Sequence, residues 1–262
     1  MLKGRVLVIA GSDSGGGAGI QADIKAIMAM GGFAATAITS VTAQNTLGVH
    51  AVHPLPPALV QAQIEAVLDD IGADALKIGM LGEAETVLRV VACIEHSARQ
   101  LPLVVDPVMV AKGGQSLLRD DALDALRRRL LPLATLITPN LPEAAALLGH
   151  PIHDPADAAI ELLNTGAKAV LLKGGHSDGP VLTDILADAD GIRAFTMPRI
   201  DSRHTHGTGC TLASAIAAGL AQAMSVDEAI GRARRYIQAA ILTAPGFGAG
   251  HGPLNHNAGF EP

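Results

Sequence analysis

The chain has 262 residues, a formal net charge of −6, 49% hydrophobic residues and only 2% aromatic ones, enough length for a large core of Ala, Leu, Ile and Val. With no basic run and hardly any rings, it lacks the phosphate neutralisation and base stacking of a nucleic-acid groove, which excludes nucleic acid as a partner. Cys93 and Cys210 lie far apart with no CxxC spacing, so neither a disulfide framework nor a zinc site is indicated and a reducing, cytoplasmic location is the expectation.

Lys3 and Arg5 ahead of Val6–Ala10 resemble a leader only superficially, because Ser12 and Asp13 interrupt an apolar run too short for one. No uncharged apolar run reaches bilayer length, so no membrane contact is expected. Arg5–Ala10 reads as a buried strand, followed by the loop Gly11–Gly19 and a helix with Ile20, Ile24 and Ile27 on one face. Ala34–Thr42 is the second strand, and Ala43–Gly48 reads as a polar loop. Pro56 and Pro57 open a helix to about Ile71, and strand Ala75–Ile78 ends at Gly79-Met80. Helix Glu83–Ala98 leads to strand Leu101–Val105, which stops at Asp106-Pro107. Helix Asp120–Leu130 precedes strand Thr135–Thr138, then Pro139-Asn140-Leu141-Pro142-Glu143 and a helix of Ala and Leu. Another helix follows Pro155, strand Lys168–Leu172 closes with Lys173-Gly174-Gly175-His176, and Val181–Leu186 and Ile192–Thr196 read as antiparallel strands.

This alternation, without repeat, linker or low-complexity tract, predicts one doubly wound α/β domain over residues 1–262, a mostly parallel central sheet flanked by helices. The chain is organised around Thr205-His206-Gly207-Thr208-Gly209-Cys210-Thr211, which runs into the apolar segment Leu212–Met224. That placement reads as a glycine loop opening a helix, where unpaired N–H groups and the macrodipole stabilise anions. Gly207 and Gly209 let the backbone approach the anion. The helix N-terminus is expected to lower the pKa of Cys210, which makes the thiol a base, a nucleophile or a polar lining group. Cys93, in an apolar run, reads as a small core residue.

In open parallel sheets ligands bind beyond the carboxyl ends of the strands, and those ends carry Gly11, Gln44, Met80, Asp106, Asn140 and Lys173, with Asp23, Glu143 and Cys210 on the helices that follow. Phosphoryl transfer needs an anion hole, a lysine on phosphate oxygens, acids positioning Mg²⁺ and a group to accept a hydroxyl proton. Gly207 to Cys210, Lys173, and Asp106 with Glu143 supply that set. There is no GxxxxGK[ST] motif, and Gly15 and Gly17 lack the third glycine of a dinucleotide fingerprint, so a nucleotide kinase of another lineage fits best.

The stretches Gly11–Asp23, Ala43–Thr46, Lys77–Leu81, Asp106–Met109, Thr138–Glu143, Lys173–His176, Thr205–Thr211 and Gly250–His256 together resemble the hydroxymethylpyrimidine/phosphomethylpyrimidine kinases of thiamine biosynthesis, members of the ribokinase-like superfamily. The resemblance runs from residue 5 to about 256. It implies successive ATP-dependent phosphorylation of 4-amino-5-hydroxymethyl-2-methylpyrimidine and of its monophosphate, by a homodimer. By the same resemblance Gln44 and Asp23 hydrogen-bond the aminopyrimidine, and Gly11, Met80 and Val108 line its pocket. Lys173 balances phosphate charge, Asp106 and Glu143 act through Mg²⁺, Asn140 and Thr208 touch the nucleotide, and Cys210 stands where the sugar kinases of the superfamily carry an aspartate base. A pyridoxine or pyridoxal kinase would share the ATP half of this site, and a non-catalytic pyrimidine sensor would share its crevice. Residues Ala111–Leu117, with Gly113 and Gly114, are a candidate closing loop.

Overall fold

The computed structural model describes residues 3–110, 114, 117–175 and 179–258. The first strand, β1 (Arg5–Asp13), is apolar without a break from Val6 to Ala10 because both of its faces are covered there. Leu7 and Ile9 point into one core, and Val6, Val8 and Ala10 into the other. β1 pairs in parallel with β2 (Phe33–Asn45) and with β4 (Ala75–Ile78). The parallel sheet continues through β5 (Leu103–Val105), β6 (Leu136–Ile137) and β7 (Ala169–Leu172). Antiparallel strands extend it at both edges: β3 (Gly48–Pro54) beside β2, and β8 (Val181–Asp188) with β9 (Gly191–Pro198) beside β7. All nine form one sheet in the order β3-β2-β1-β4-β5-β6-β7-β8-β9.

One face of the sheet is covered by α2 (Pro57–Asp70), α3 (Ala84–Cys93), α4 (Asp120–Ala125), α5 (Leu141–Leu148) and α6 (Pro155–Leu163). The other carries α1 (Gly19–Ala29), α7 (Thr208–Ala221) and α8 (Val226–Leu242). Each fully buried Val, Leu or Ile in these layers contributes about 1.5–3 kcal/mol of transfer free energy. The mostly parallel doubly wound sheet expected from the alternation is the observed architecture, and Cys93 is a buried core residue as expected.

Two elements differ from the sequence reading. The expected polar loop Ala43–Gly48 is the tip of a hairpin: β2 runs on to Asn45, a bulge falls between Ala43 and Gln44, and β3 returns antiparallel from Gly48. Asn45 Oδ1 accepts the Leu47 N–H at 2.9 Å, the side-chain turn that closes such a tip. Helix α8 is additional, and its start is a capping box in which Ser225 and Glu228 each accept the other's backbone N–H. Of the candidate closing loop Ala111–Leu117, residues 111–113, 115 and 116 lie outside the described residues, as does His176.

Candidate active site

Because β1, β4, β5, β6 and β7 run parallel, their carboxyl ends open on one side, and there the chain encloses a cavity of about 590 Å³. Gly11, Gln44, Met80, Asp106, Val108, Asn140, Glu143, Lys173, Gly207, Thr208, Gly209 and Cys210 all line it. Among the residues singled out in the sequence, Asp23 alone lies elsewhere.

Asp23 and Lys77 are both 0% exposed, and Lys77 Nζ stands 2.9 and 3.0 Å from the two Asp23 oxygens. Ser214 Oγ donates a further hydrogen bond to Asp23 at 2.6 Å. The carboxylate is thus turned away from the cavity, and a direct contact with a pyrimidine is corrected to a contact with Lys77, which itself lines the cavity. Burial works against charge on Lys77, but Asp23, Cys210 and Asp106 outweigh it and hold the ammonium above its usual range.

At the β1–β2 end the glycine loop wraps a carboxylate. Asp13 is buried and accepts the N–H groups of Gly15, Gly17 and Ala18 at 2.8, 3.1 and 2.8 Å, and His206 Nε2 lies 2.9 Å away. Burial opposes its charge, yet His206 and the Gly15 and Ala18 N–H groups prevail and keep the carboxyl below its usual range. The Gln44 amide touches His206 Nε2 at 3.3 Å and Thr42 Oγ1 at 3.2 Å. Thr42 Oγ1 also donates to the Ser12 carbonyl at 3.0 Å.

At the opposite end Asp106 follows β5 and is buried. Its Oδ1 accepts Thr138 Oγ1 at 3.2 Å and Lys173 Nζ at 2.8 Å, while Oδ2 faces Gly209 in the first turn of α7. Glu143 closes a capping box on α5, accepting the Asn140 N–H at 2.8 Å as Asn140 Oδ1 accepts the Glu143 N–H at 2.8 Å. Glu143 Oε2 lies 3.8 Å from Lys173 Nζ. Burial, with Asp106 nearby, pushes the Glu143 carboxyl up to about 7 although Lys173 pulls it down. For Lys173, burial is outweighed by Asp106 and Glu143, which hold the ammonium above its usual range.

Between these ends α7 begins. Gly207 is its cap with φ +82°, and a Cβ there would collide with the Gly17 carbonyl oxygen, so only glycine joins the two loops at this point. The thiol of Cys210, in the first turn, departs from the expected lowered pKa. Burial pushes it up to about 11, and the Asp23 and Asp106 carboxylates outdo part of the pull of Lys77. A helix terminus is worth only about 0.3–1 kcal/mol to a charge at an exposed surface, less than desolvation costs here.

A second cavity of about 410 Å³ adjoins the first and shares Asn140, Lys173, Thr205, Thr208 and Gly209 with it. Its walls combine apolar side chains, Leu182 and Met197 on the β8–β9 side and Leu212, Ile237 and Ile241 on α7 and α8, with Asp184, Arg199, Arg234 and Gln238. Arg234 forms a buried ion pair with Asp184, whose Oδ1 accepts the Gly174 N–H at 2.8 Å and so fixes the turn after Lys173. After α8 the chain returns over the first cavity. Gly250 and His251 donate to Thr46 Oγ1 and O at 3.3 and 2.9 Å, and the Gly252 carbonyl accepts the His206 N–H at 3.1 Å.

Asp13, Thr42, Lys77 and His206 were not assigned roles by the sequence reading, although Asp13, Lys77 and His206 stand inside its motifs. The signal for Asp13 was present: an aspartate two to five residues ahead of glycine and alanine N–H groups can cap a loop.

The family described as phosphomethylpyrimidine kinase matches residues 13–255. The Geobacter sulfurreducens thiamine biosynthesis bifunctional protein ThiED is 51% identical over 257 residues, which is 97% of this chain but 52% of that protein, so the chain spans about half of its length. The Bacillus subtilis hydroxymethylpyrimidine/phosphomethylpyrimidine kinase is 46% identical over 97% of this chain and 95% of its own. The structure of the Staphylococcus aureus pyridoxal kinase in complex with AMP-PCP and pyridoxal superposes with a TM-score of 0.89 at 36% identity, covering 98% of this chain and 94% of that one. With a family match over residues 13–255 and a site built at the strand ends, this chain belongs to the phosphomethylpyrimidine kinase family.

Proposed function

We propose that the chain transfers the γ-phosphoryl group of ATP to 4-amino-5-hydroxymethyl-2-methylpyrimidine and then to its monophosphate, giving the diphosphate for thiamine biosynthesis. The observation that carries this reading is the first turn of α7, which lies where the cavity holding Gln44 meets the adjoining one on the β8–β9 and α8 side. The second cavity, with Leu182, Met197, Leu212 and Ile237 in its walls, suits a purine, and the shared residues Lys173, Asn140 and Thr208 face the phosphates between the two. Gln44 orients the pyrimidine beside Met80 and Val108, with Gly11 leaving room for the ring. The N–H groups of Gly207 to Cys210 and the Lys173 ammonium stabilise the charge on the transferring group.

Asp106 and Glu143 fit a hard divalent cation. Two buried carboxylates share one close ammonium, one of them with its pKa raised to about 7. Mg²⁺ takes one or two carboxylates and keeps several waters, and it supplies charge neutralisation on the phosphates when bound. Cys210 takes the substrate hydroxyl proton as its thiolate, the minor form of a group whose pKa burial raises to about 11; the hydroxyl oxygen bonds to phosphorus, ADP leaves, and the sulfur ends as a neutral thiol. Because the attacking oxygen develops little bonding in a loose transition state, that proton is lost late, and a small thiolate population is enough to receive it. The enzyme acts as a one-domain homodimer in the cytoplasm. Among the described residues no helix is long and apolar enough to cross a membrane.

The test is ATP-dependent ADP release, with product mass, for the pyrimidine, its monophosphate, pyridoxal and pyridoxine, each with and without Mg²⁺. Turnover of both pyrimidines to the diphosphate supports the proposal. Turnover of the vitamin B6 compounds alone would favour the second reading, a pyridoxal kinase, to which the likeness to the Staphylococcus aureus enzyme lends weight. Pyrimidine binding without ADP release would make the chain a sensor.

A further inference from the structure

We propose that Thr42 and His206, the latter held by Asp13, are positioning residues that lock the Gln44 amide in one of its two orientations and thereby set which heteroaromatic ring this kinase accepts. The inference rests on the pyrimidine-kinase reading and adds to it the discrimination between an amino and an oxo ring.

The argument is a count of protons. Thr42 has one hydroxyl proton, and the Ser12 carbonyl, 3.0 Å away, can only accept it. Thr42 then has only a lone pair left for the Gln44 amide, whose end at 3.2 Å, assigned as Oε1, is by this count the nitrogen, the two ends being exchanged by a half-turn of the amide. From the other side, the Asp13 carboxylate is an acceptor held by three backbone N–H groups. His206 Nε2, 2.9 Å from it, must carry a proton. That N–H also faces the Gln44 amide end at 3.3 Å, assigned as Nε2, and two N–H groups cannot face each other, so the same half-turn puts the oxygen there. The two ends of an amide are equal in shape, and only their partners decide between them. Here two independent chains of donors reach the same answer.

With one N–H spent on Thr42 and one lone pair on His206, Gln44 keeps one donor and one acceptor in fixed order. An aminopyrimidine presents the complement, an acceptor ring nitrogen beside a donor amine. The 4-oxo analogue presents the reverse, a donor ring N–H beside an acceptor oxygen. Pyridoxal has no amine beside its ring nitrogen at all. An unlocked amide would rotate by half a turn and serve the oxo ring as well as the amino one.

The experiment measures kcat and KM for the aminopyrimidine and its 4-oxo analogue by ADP release. Two mispaired buried groups cost about tenfold or more each, so the wild-type protein should favour the amino substrate by ~100-fold or more in kcat/KM. His206→Phe and Thr42→Val should each bring that ratio below about tenfold, chiefly through KM, by the loss of one hydrogen bond that orders the amide. His206→Gln, which returns an N–H at the Nε2 position, and Thr42→Ser should restore the preference. Circular dichroism checks each variant, and if His206→Phe does not fold, the Thr42→Val and Thr42→Ser pair decides. Wild-type turnover of the aminopyrimidine with an unchanged ratio in both disrupting variants would overturn the lock. So would a wild-type protein indifferent to amino and oxo rings. Wild-type turnover of neither pyrimidine would instead overturn the functional reading beneath it.

Discussion

Replacing Lys77 with methionine tests whether the pair behind the cavity is a true buried ion pair. Methionine keeps most of the length and apolar volume of the stem and removes the ammonium. Asp23, 0% exposed, would then retain only the Ser214 hydroxyl, having lost an ammonium at 2.9 and 3.0 Å. Stranding one member of such a pair costs about 3–5 kcal/mol, a large part of the ~5–15 kcal/mol that holds a domain together. For a chain of this size that is a fall of about 6–10 °C in melting temperature. Removing both charges in Lys77→Met/Asp23→Leu should recover most of it, because the desolvation of both ions disappears together, leaving about 1 kcal/mol for the orphaned Ser214 hydroxyl. Urea unfolding followed by far-UV circular dichroism reads both variants without tryptophan, which the chain lacks. A single variant within 1 kcal/mol of wild type, or a double variant as unstable as the sum of its parts, would refute a buried pair whose members depend on each other.

Gly207→Ala forces a Cβ into a left-handed cap and onto the Gly17 carbonyl. The backbone strain alone is about 1–2 kcal/mol, and kcat should fall at least tenfold while far-UV circular dichroism stays native. His256 is buried against Thr211 and its pKa is pushed down to about 4 by burial. The unfolded chain takes up that proton near pH 6.5, so stability falls as pH drops below 6.5 at about 1.4 kcal/mol per unit until about pH 4. Unfolding at pH 7 and pH 5 should differ by about 2 kcal/mol from this group, and His256→Asn should remove that part of the slope. Cys210→Ala should lose about 10²–10⁴ in kcat and still bind the pyrimidine by calorimetry; unchanged turnover would refute a catalytic thiol.

The sheet and the strand ends were legible because long apolar runs stop abruptly at Gly79, Asp106 and Lys173, and a strand buried on both faces leaves that mark. The β2–β3 hairpin was not, since β3 is an edge strand with no buried residue, and His50 and His53 break any apolar alternation. α8 turns Ala229, Ile230, Ala233, Tyr236 and Ala240 inward among many charged residues, so it shows itself by its capping box more than by its composition. In the site, local motifs named residues from Asp106 to Cys210 that line one cavity. What they could not contain was pairing across distance: His206 meets Asp13 from 193 residues away, and Lys77 meets Asp23 from 54. The same blindness misplaced the Cys210 thiol, because the helix terminus is local while the burial and the carboxylates that outweigh it arrive from other strands.

The return of the chain over the first cavity has a consequence for the order in which the protein is made. The wall that holds Gln44 is built from the first fifty residues, yet Thr46 is tied by Gly250 and His251, and His206 by Gly252. The Thr46 contacts, between positions some two hundred residues apart, close a large loop, and such contacts form slowly. On the ribosome the β1–β2 wall emerges early and waits, unbraced, until everything after α8 has left the tunnel. The substrate chamber is therefore the last part of this molecule to be finished, and turnover is a more demanding report of complete folding than the presence of its sheet.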